Sequence, residues 1–189
     1  MKVDDIKRLR EETGAGIMDC RKAIEESKGN FEKAKELLFK RGLAKAEKKA
    51  ERVTKEGIID AYIHLGGRIG ALIEVNCETD FVARTDEFRN LVKELLLQIT
   101  AMAPKFISRD DVPEDILKEE KEKIKKETGI ENEEKIEEYM EKFYSEKCLL
   151  EQPFIKNETI KVKDLISTVI AKTGENIKVR RFARFELSE

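Results

Sequence analysis

The 189-residue sequence has no tryptophan, one histidine, three cysteines, three prolines and no long apolar run. A membrane-spanning helix needs about 20 consecutive apolar residues, so no membrane protein is predicted. The cysteines, at positions 20, 77 and 148, are odd in number and widely spaced, which argues against a disulfide framework and a metal site. We interpret them as reduced core thiols. We expect a cytoplasmic protein, because the charged start MKVDDIKRLR lacks a signal peptide's apolar stretch.

Residues suited to catalysis are equally scarce. His64 has no serine or cysteine nucleophile nearby in sequence, so a hydrolase centred on it would lack a second catalytic group. The phosphate-binding pattern G-x-x-x-x-G-K-[ST] is absent. Gly14-Ala15-Gly16 follows a predicted helix, whereas a dinucleotide fingerprint follows a strand. We therefore expect no catalytic residue, no metal and no cofactor.

Charged residues, in contrast, are abundant. They make up 41% of the chain, well above the usual quarter or so. Their distribution is uneven: residues 113–151 hold 14 acidic and 8 basic side chains, whereas both ends of the chain are mildly basic. The net charge of −2 gives no overall basic field, so direct binding of nucleic acid is not expected.

Three short amphipathic helices are predicted near the start of the chain. Apolar residues recur at helical spacing in three stretches: Val3, Ile6 and Leu9; Ile17, Cys20, Ala23 and Ile24; and Phe31, Ala34, Leu37 and Leu38. Residues 13–16, Thr-Gly-Ala-Gly, separate the first two helices. Asn30 can cap the third, which we expect to end at Gly42. Residues 1–43 thus predict a compact bundle, a kind of module that more often docks on a partner than carries catalysis.

The pattern changes after this bundle. Residues 44–56 are nearly all charged or alanine, which predicts a solvated linker or a helical extension of the bundle. From position 58 to 77 apolar residues alternate on both sides of Gly66-Gly67. Two alternating runs around a glycine pair predict a β-hairpin, because glycine supplies the positive φ that tight turns require. We expect the sheet to have one buried face.

Helices are predicted to follow the hairpin. One runs from Thr85 to Pro104, with its apolar stripe at Phe88, Leu91, Val92, Leu95, Leu96, Ile99 and Met102. Residues 113–148 predict two charged helices joined near a Thr-Gly pair, which we interpret as a projecting helical hairpin. One more helix is predicted at 162–173.

A final alternating stretch completes the predicted core. Residues 177–187 read as a strand that joins the β-hairpin as a third member, with Arg181 in the set of positions assigned to the buried face. The prediction is an α+β fold in which residues 57–189 form one core domain, with an antiparallel sheet of about three strands packed by helices. Residues 1–43 form the bundle domain and 44–56 the charged linker.

The segment N-C-E-T-D-F-V-A-R, at positions 76–84, connects the hairpin to the helix that follows. Phe81 and Val82 are apolar where a short connection is usually polar. In one interpretation Phe81 plugs the chain's own core. In the other it is an exposed wedge beside Asp80, presented on a rigid scaffold as a binding anchor. The residues alone leave both open.

Three motifs resemble one known family, elongation factor Ts of the bacterial type. Residues 74–83, EVNCETDFVA, resemble the family signature with its T-D-F-V core. Residues 9–23, LREETGAGIMDCRKA, resemble the family's N-terminal L-R-x-x-T-G-A-G-[MI]-M-D-C-K-K-A. Residues 174–182, GENIKVRRF, are similar to its G-E-N-I-x-[IV]-R-R stretch. The three motifs span nearly the whole chain, in the family's order.

The resemblance implies a guanine nucleotide exchange factor, not an enzyme, acting in translation. Its partner would be the GTPase elongation factor Tu, on whose nucleotide-binding domain a UBA-like N-terminal bundle would dock. The implied contact residues fall into two groups: the docking residues Arg10, Ile17 and Met18, and the residues Thr79, Asp80, Phe81 and Val82, which would reach the GTPase near its magnesium and phosphate site.

Some features depart from the commonest family pattern. Ile17 replaces a frequent methionine, a change that conserves volume, and Arg21 replaces a frequent lysine. The longer relatives carry two related core subdomains, whereas this chain has room for one. A homodimer would supply the second copy around a symmetric interface.

A different class of function stays open as an alternative. The basic termini could belong to an RNA-binding or ribosome-associated module, with Arg180, Arg181 and Arg184 beside Phe182 and Phe185 as its patch. The assignment of Arg181 to the buried face of the strand weakens this patch. Binding through phosphates would fall steeply as the salt concentration rises.

Overall fold

The computed structural model describes residues 3–187 and has the predicted α+β fold. The helices within that range are α1 (Val3–Thr13), α2 (Ile17–Glu26), α3 (Phe31–Glu47), α4 (Asp80–Ala83), α5 (Asp86–Met102), α6 (Glu114–Thr128), α7 (Glu133–Lys147) and α8 (Val162–Thr173). The strands are β1 (Glu56–Ile63), β2 (Ile69–Cys77), β3 (Pro153–Phe154), β4 (Asn157–Lys161) and β5 (Lys178–Glu186). Short 3-10 turns cover Arg109–Asp111 and Leu149–Glu151.

The chain divides into two compact units that interleave along the sequence. The first unit is drawn from Met1–Ile58, Val75–Leu91 and Ile166–Lys178. The second is drawn from Ile59–Glu74, Val92–Leu165 and Val179–Glu189. The outer ends of the two predicted domains, residues 1–2 and 188–189, lie outside the described residues. The division into bundle, linker and core domains stays a prediction.

Helices α1, α2 and α3 form the bundle of the first unit. Its core consists of the buried side chains Ile6, Leu9, Cys20, Ala23, Ile24, Ala34 and Leu38. Asn30 caps α3 as predicted, since its side chain accepts a hydrogen bond from Lys33 N at 3.0 Å. The prediction that α3 ends at Gly42 is wrong, because the helix continues to Glu47. A Cβ atom at Gly42 would lie 3.4 Å from Ala171 Cβ, so this glycine serves close packing inside the helix.

Strands β1, β2 and β5 form the predicted three-stranded antiparallel sheet, in the order β1-β2-β5. Gly66 and Gly67 both adopt positive φ, 88° and 67°, in the turn of the hairpin. The β2 side chains Ala71, Ile73, Val75 and Cys77 are buried, which is the regular alternation of a sheet with one covered face.

The assignment of Arg181 to the buried face is wrong. Its side chain is 76% exposed and its Nε donates to Glu74 Oε2 at 2.7 Å. The neighbouring position Arg184 points inward instead, with a side chain that is 11% exposed and an Nε that donates to Thr100 O. An arginine can point inward when its polar atoms have hydrogen-bond partners. At these two positions the inner and outer faces of the strand are therefore the reverse of those predicted from hydrophobic alternation.

The exposed side of this sheet is apolar. His64 N donates to Ile69 O in the hairpin, which places Ile63 and Leu72 on the same side as Glu74. We call this surface the outer sheet face and define it by its exposed apolar side chains Ile59, Ile63, Leu72 and Phe185. Both alternating sets of β1 contain isoleucine, so the sequence pattern does not distinguish the inner set from the outer one.

The second unit also contains the predicted helical hairpin, formed by α6 and α7. Its helices enclose a small core of Ile124, Ile136 and Met140. After the hairpin, β3 and β4 form an additional two-stranded sheet that the sequence analysis did not predict. None of the described helices combines the length and the apolar character that crossing a membrane requires.

Candidate functional site

The segment after β2 forms a capped helical turn. Thr79 has extended backbone angles (φ −129°, ψ 154°) and begins the one-turn helix α4. Its Oγ1 accepts a hydrogen bond from Val82 N at 3.4 Å, as threonine commonly does at helix starts. Thr85 Oγ1 then accepts a hydrogen bond from Phe88 N at 3.3 Å, in the first turn of α5. The apolar connection noted in the sequence is thus a short helix between two hydroxyl-capped turns.

This turn separates Phe81 from Val82. The Phe81 side chain is 76% exposed, whereas Val82 is 4% exposed and belongs to the core. The exposed side chain excludes the core plug, whereas the role of Phe81 as a wedge in a partner stays a prediction. Thr79 and Asp80 are exposed beside it, so three of the four implied contact residues in this turn are accessible.

A carboxylate from a distant part of the sequence holds the turn. Glu175 Oε2 accepts hydrogen bonds from the backbone N–H groups of Glu78 at 3.1 Å and Thr79 at 2.9 Å. Glu175 Oε1 accepts the Thr79 hydroxyl at 2.6 Å. Hydrogen bonds to an ionised carboxylate are about twice as strong as neutral ones, so this contact fixes the start of α4 firmly.

The contact is reciprocal. Glu78 Oε1 accepts a hydrogen bond from Asn176 N at 2.7 Å, and it lies 3.6 Å from Arg52 Nη1. Asn176 is 2% exposed, and its amide Nδ2 donates to Ala50 O at 3.2 Å and Arg52 O at 2.8 Å. Two adjacent residues, Glu175 and Asn176, therefore connect the turn to the chain that follows α3.

Two further contacts lie at the turn itself. Asp80 pairs with Arg84 at 2.8 Å, but both side chains are mostly exposed, so the pair contributes little stability. The buried Cys77 thiol donates to Thr79 O at 3.1 Å. Burial, with the charge of Glu175 as a further cause, raises the pKa of Cys77 to about 11. The thiol therefore stays protonated at neutral pH and serves as a structural donor, in line with the expectation of reduced core cysteines.

The implied docking residues lie at the junction of α1 and α2. Arg10 is exposed on the last turn of α1, and Ile17 and Met18 are just over half exposed at the start of α2. Gly14, between them, has a φ of 66°, and a Cβ atom there would lie 2.6 Å from Lys172 Cε. This turn needs glycine both for its backbone conformation and for the side chain that crosses it.

The structure does not assemble the alternative arginine patch. Arg181 pairs with Glu74, and the mostly buried Arg184 bonds Thr100 O and Glu186. His64 is exposed, with its Nδ1 3.1 Å from the Tyr62 hydroxyl. Among residues 3–187, no cluster of three or more His, Cys, Asp or Glu side chains is arranged to hold a metal ion.

The sequence identifies the segment around Phe81 as unusual but does not reveal what holds it. Glu78, Glu175 and Asn176 lie within two of the three motifs, but motif resemblance alone does not indicate that they contact each other. The available signal was that two motifs about 100 residues apart in sequence both place polar residues next to predicted element ends. Polar residues that meet at element ends often satisfy each other's backbone groups.

Comparison with known proteins assigns the family. Residues 44–189 match the family described as Elongation factor TS. The elongation factor Ts of Thermotoga neapolitana is 56% identical over 191 residues, covering 99% of this chain and 97% of the relative. Those of Carboxydothermus hydrogenoformans and Methylacidiphilum infernorum are each 53% identical; they cover 97% of this chain, and 88% and 94% of the respective relatives. The chain therefore belongs to the elongation factor Ts family.

Proposed function

We propose that this chain, which has the translation elongation role of its family, releases GDP from elongation factor Tu by disturbing the magnesium and phosphate site of that GTPase. The observation that carries the proposal is Phe81, an aromatic side chain 76% exposed on a turn whose backbone is held by Glu175. A large apolar side chain on a rigid support is suited to insertion into a partner.

The N-terminal bundle provides the contacts that dock the chain on its partner. Ile17 and Met18 present adjacent apolar side chains at the start of α2, and Arg10 adds a positive charge beside the same turn. These residues dock on the nucleotide-binding domain of the partner. Docking through the bundle raises the local concentration of Phe81 at the GTPase without itself expelling GDP.

The turn at residues 79–82 disturbs the magnesium and phosphate site of the GTPase, and its four residues have different roles. Phe81 inserts beside the magnesium and phosphate site, and Asp80 enters next to it and perturbs polar groups around the ion. Val82 is buried and anchors the turn in its own core. Thr79 caps the helix and gives its hydroxyl hydrogen to Glu175.

Energetics limit what one ring can achieve. Burying a phenylalanine side chain contributes about 1.5–3 kcal/mol, equivalent to roughly a tenfold to hundredfold effect. A factor that prefers the nucleotide-free GTPase weakens the binding of GDP to that GTPase. By linkage, GDP weakens the binding of the factor by the same ratio. The cycle involves no covalent step and no cofactor, so the factor is not an enzyme, and it acts in the cytoplasm, where its partner works.

Release of fluorescent GDP from elongation factor Tu tests the proposal. The rate is measured over a range of factor concentrations, which separates the maximal rate from the half-saturating concentration. We expect Phe81→Ala to lower the maximal rate about tenfold to a hundredfold. The half-saturating concentration should change little, because the docking residues are intact.

Tyr139→Ala is the matched control, since it removes another exposed aromatic side chain, from α7. It should release GDP at the wild-type rate. Wild-type release by Phe81→Ala at saturating concentration would exclude the wedge. A wild-type chain that does not accelerate release at all would exclude the exchange function.

We also propose that two copies of the chain associate through the outer sheet face. Its four apolar side chains share this face with the ion pair between Glu74 and Arg181, so a twofold-related copy can place each charge opposite its complement.

A further inference from the structure

The segment 171–176, which runs from the last turn of α8 into the following loop, contacts both candidate partner surfaces of the first unit. On the bundle side, the Lys172 side chain crosses Gly14, where a Cβ atom would lie 2.6 Å from Lys172 Cε. Ala171 packs against Gly42 of α3. The segment is thus in contact with the turn that carries the docking residues.

Polar contacts continue this connection past the end of α3. Lys49 Nζ donates to Gly174 O, and Asn176 Nδ2 donates to Ala50 O and Arg52 O. The buried amide of Asn176 therefore ties the segment to the chain leaving the bundle. Because Asn176 is 2% exposed, losing either hydrogen bond would leave a buried donor without a partner, which is destabilising.

The same segment also holds the turn of residues 79–84 that carries Phe81, which we call the wedge turn. Glu175 accepts hydrogen bonds from the backbone N–H groups of Glu78 and Thr79 and from the Thr79 hydroxyl. Asn176 N donates to Glu78 Oε1 at 2.7 Å. Residues of one short segment thus contact both the bundle and the start of α4.

We propose that Glu175 and Asn176 are positioning residues, which set the orientation of Phe81 relative to the docking residues. This inference rests on the proposed exchange function. Docking energy helps to insert Phe81 only if the bundle and the wedge turn move as one body. If the turn were loosely held, the chain would bind the GTPase equally well, but Phe81 would not displace the groups around the magnesium and phosphate site. The carboxylate of Glu175 acts through the backbone of the turn and does not itself touch the GTPase.

The test measures GDP release at increasing concentrations of full-length Glu175→Ala, Glu175→Gln, Phe81→Ala and wild-type chains. Glu175→Ala removes all three accepted hydrogen bonds. We expect its maximal rate to fall about tenfold and its half-saturating concentration to stay within about twofold. Glu175→Gln keeps a side-chain oxygen for the two N–H groups and should recover most of the maximal rate. Loss of general stability would not produce this division between the two constants.

Glu119→Ala, which removes an exposed carboxylate from α6, serves as the control and should behave as wild type. If Glu175→Ala does not fold, Glu175→Asp replaces it, because one methylene less withdraws the carboxylate by about 1.5 Å. It should lose maximal rate in the same way.

The outcomes separate this inference from the exchange proposal. A normal maximal rate for the Glu175 variants, with a reduced rate for Phe81→Ala, would overturn the positioning role and leave the wedge intact. A rise in the half-saturating concentration alone would assign Glu175 to docking and also overturn the inference. Normal rates for Phe81→Ala and Glu175→Ala together would remove the wedge itself.

Discussion

The two units expose apolar side chains in different ways. In the first unit Phe81 stands on a capped turn, and Ile17 and Met18 stand at the start of a helix. In the second unit Phe185 lies on the outer sheet face among other apolar side chains. Phe81 and Phe185 are almost equally exposed, 76% and 72%, so exposure does not distinguish them.

Their supports do distinguish them. The turn under Phe81 is fixed by a carboxylate that accepts two backbone N–H groups and a hydroxyl. Phe185 projects from a regular strand and gains its significance from its neighbours. A single supported ring is suited to enter a cleft, whereas an apolar face is suited to be covered by another face. We therefore expect first-unit variants to change nucleotide exchange and second-unit variants to change self-association or stability.

The largest expected effect comes from the docking residues. In the double variant Ile17→Asp with Met18→Asp, two apolar contacts are replaced by charges. Burial of the two side chains would contribute about 3–6 kcal/mol, so the half-saturating concentration for GDP release should rise at least about a hundredfold. The maximal rate, if it can be reached, should stay unchanged, which is the opposite of the Phe81→Ala result.

Ile17→Met, which conserves side-chain volume, is the matched control and should bind as wild type. A double variant with normal half-saturation would show that the bundle does not dock through this turn. The first unit would then carry one functional surface instead of two.

The second unit also contains a carboxylate that joins distant parts of the chain, and its partners are positively charged side chains. The Glu151 side chain is 9% exposed and accepts hydrogen bonds from Arg109 at 3.0 Å, Lys161 at 2.8 Å and Lys163 at 2.9 Å. Burial alone would raise the pKa of Glu151, but the three cations outweigh it and lower the pKa from 4.5 to about 2. The native state thus binds this proton more weakly than the unfolded state.

Glu151→Gln should therefore lower the free energy of unfolding at pH 7, by up to about 3 kcal/mol. The contribution of the carboxylate is fully present above about pH 4.5 and is lost as the pH falls towards 2. Urea unfolding at a series of pH values should show the wild-type and variant curves converging over that interval. Glu119→Gln, on the exposed side of α6, should leave the curve unchanged; a constant gap between wild type and Glu151→Gln would contradict the assignment.

A smaller effect is expected on the outer sheet face. Phe185→Asp places a charge among Ile59, Ile63 and Leu72 and should weaken self-association at least about tenfold. Sedimentation velocity over a range of protein concentrations measures this change, and Phe185→Leu should retain association. A wild-type chain that stays monomeric at high concentration would exclude the second copy as the partner of this face.

Much of the fold could be predicted because periodicity reports local structure directly. The stripe of α5 is buried from Phe88 to Ile99, and the glycine pair at 66–67 does form the hairpin turn. The faces of β1 and β5 could not be predicted in the same way. Ile59 is apolar yet exposed, and Arg184 is charged yet turned inward, because tertiary partners decide which side of a strand is covered.

The candidate site could likewise be predicted only in part. The exposed turn at Phe81 could be proposed, since an apolar ring in a short connection is unusual. Its support could not, because Glu175 is almost 100 residues from Thr79 in sequence and joins it only in the folded chain. Periodicity carries no information about which distant carboxylate will accept a given backbone N–H.

The smallest expected effect concerns the ion pair between Glu74 and Arg181 on the outer sheet face. Arg181 is 76% exposed and Glu74 22%, so the pair should contribute less than about 1 kcal/mol in the isolated chain. A double-mutant cycle with Arg181→Ala and Glu74→Ala, followed by urea unfolding at low protein concentration, measures this coupling. At concentrations where two copies associate, the pair is covered and its coupling should increase. Equal coupling at both concentrations would place the ion pair outside the interface and leave the apolar side chains alone to hold it.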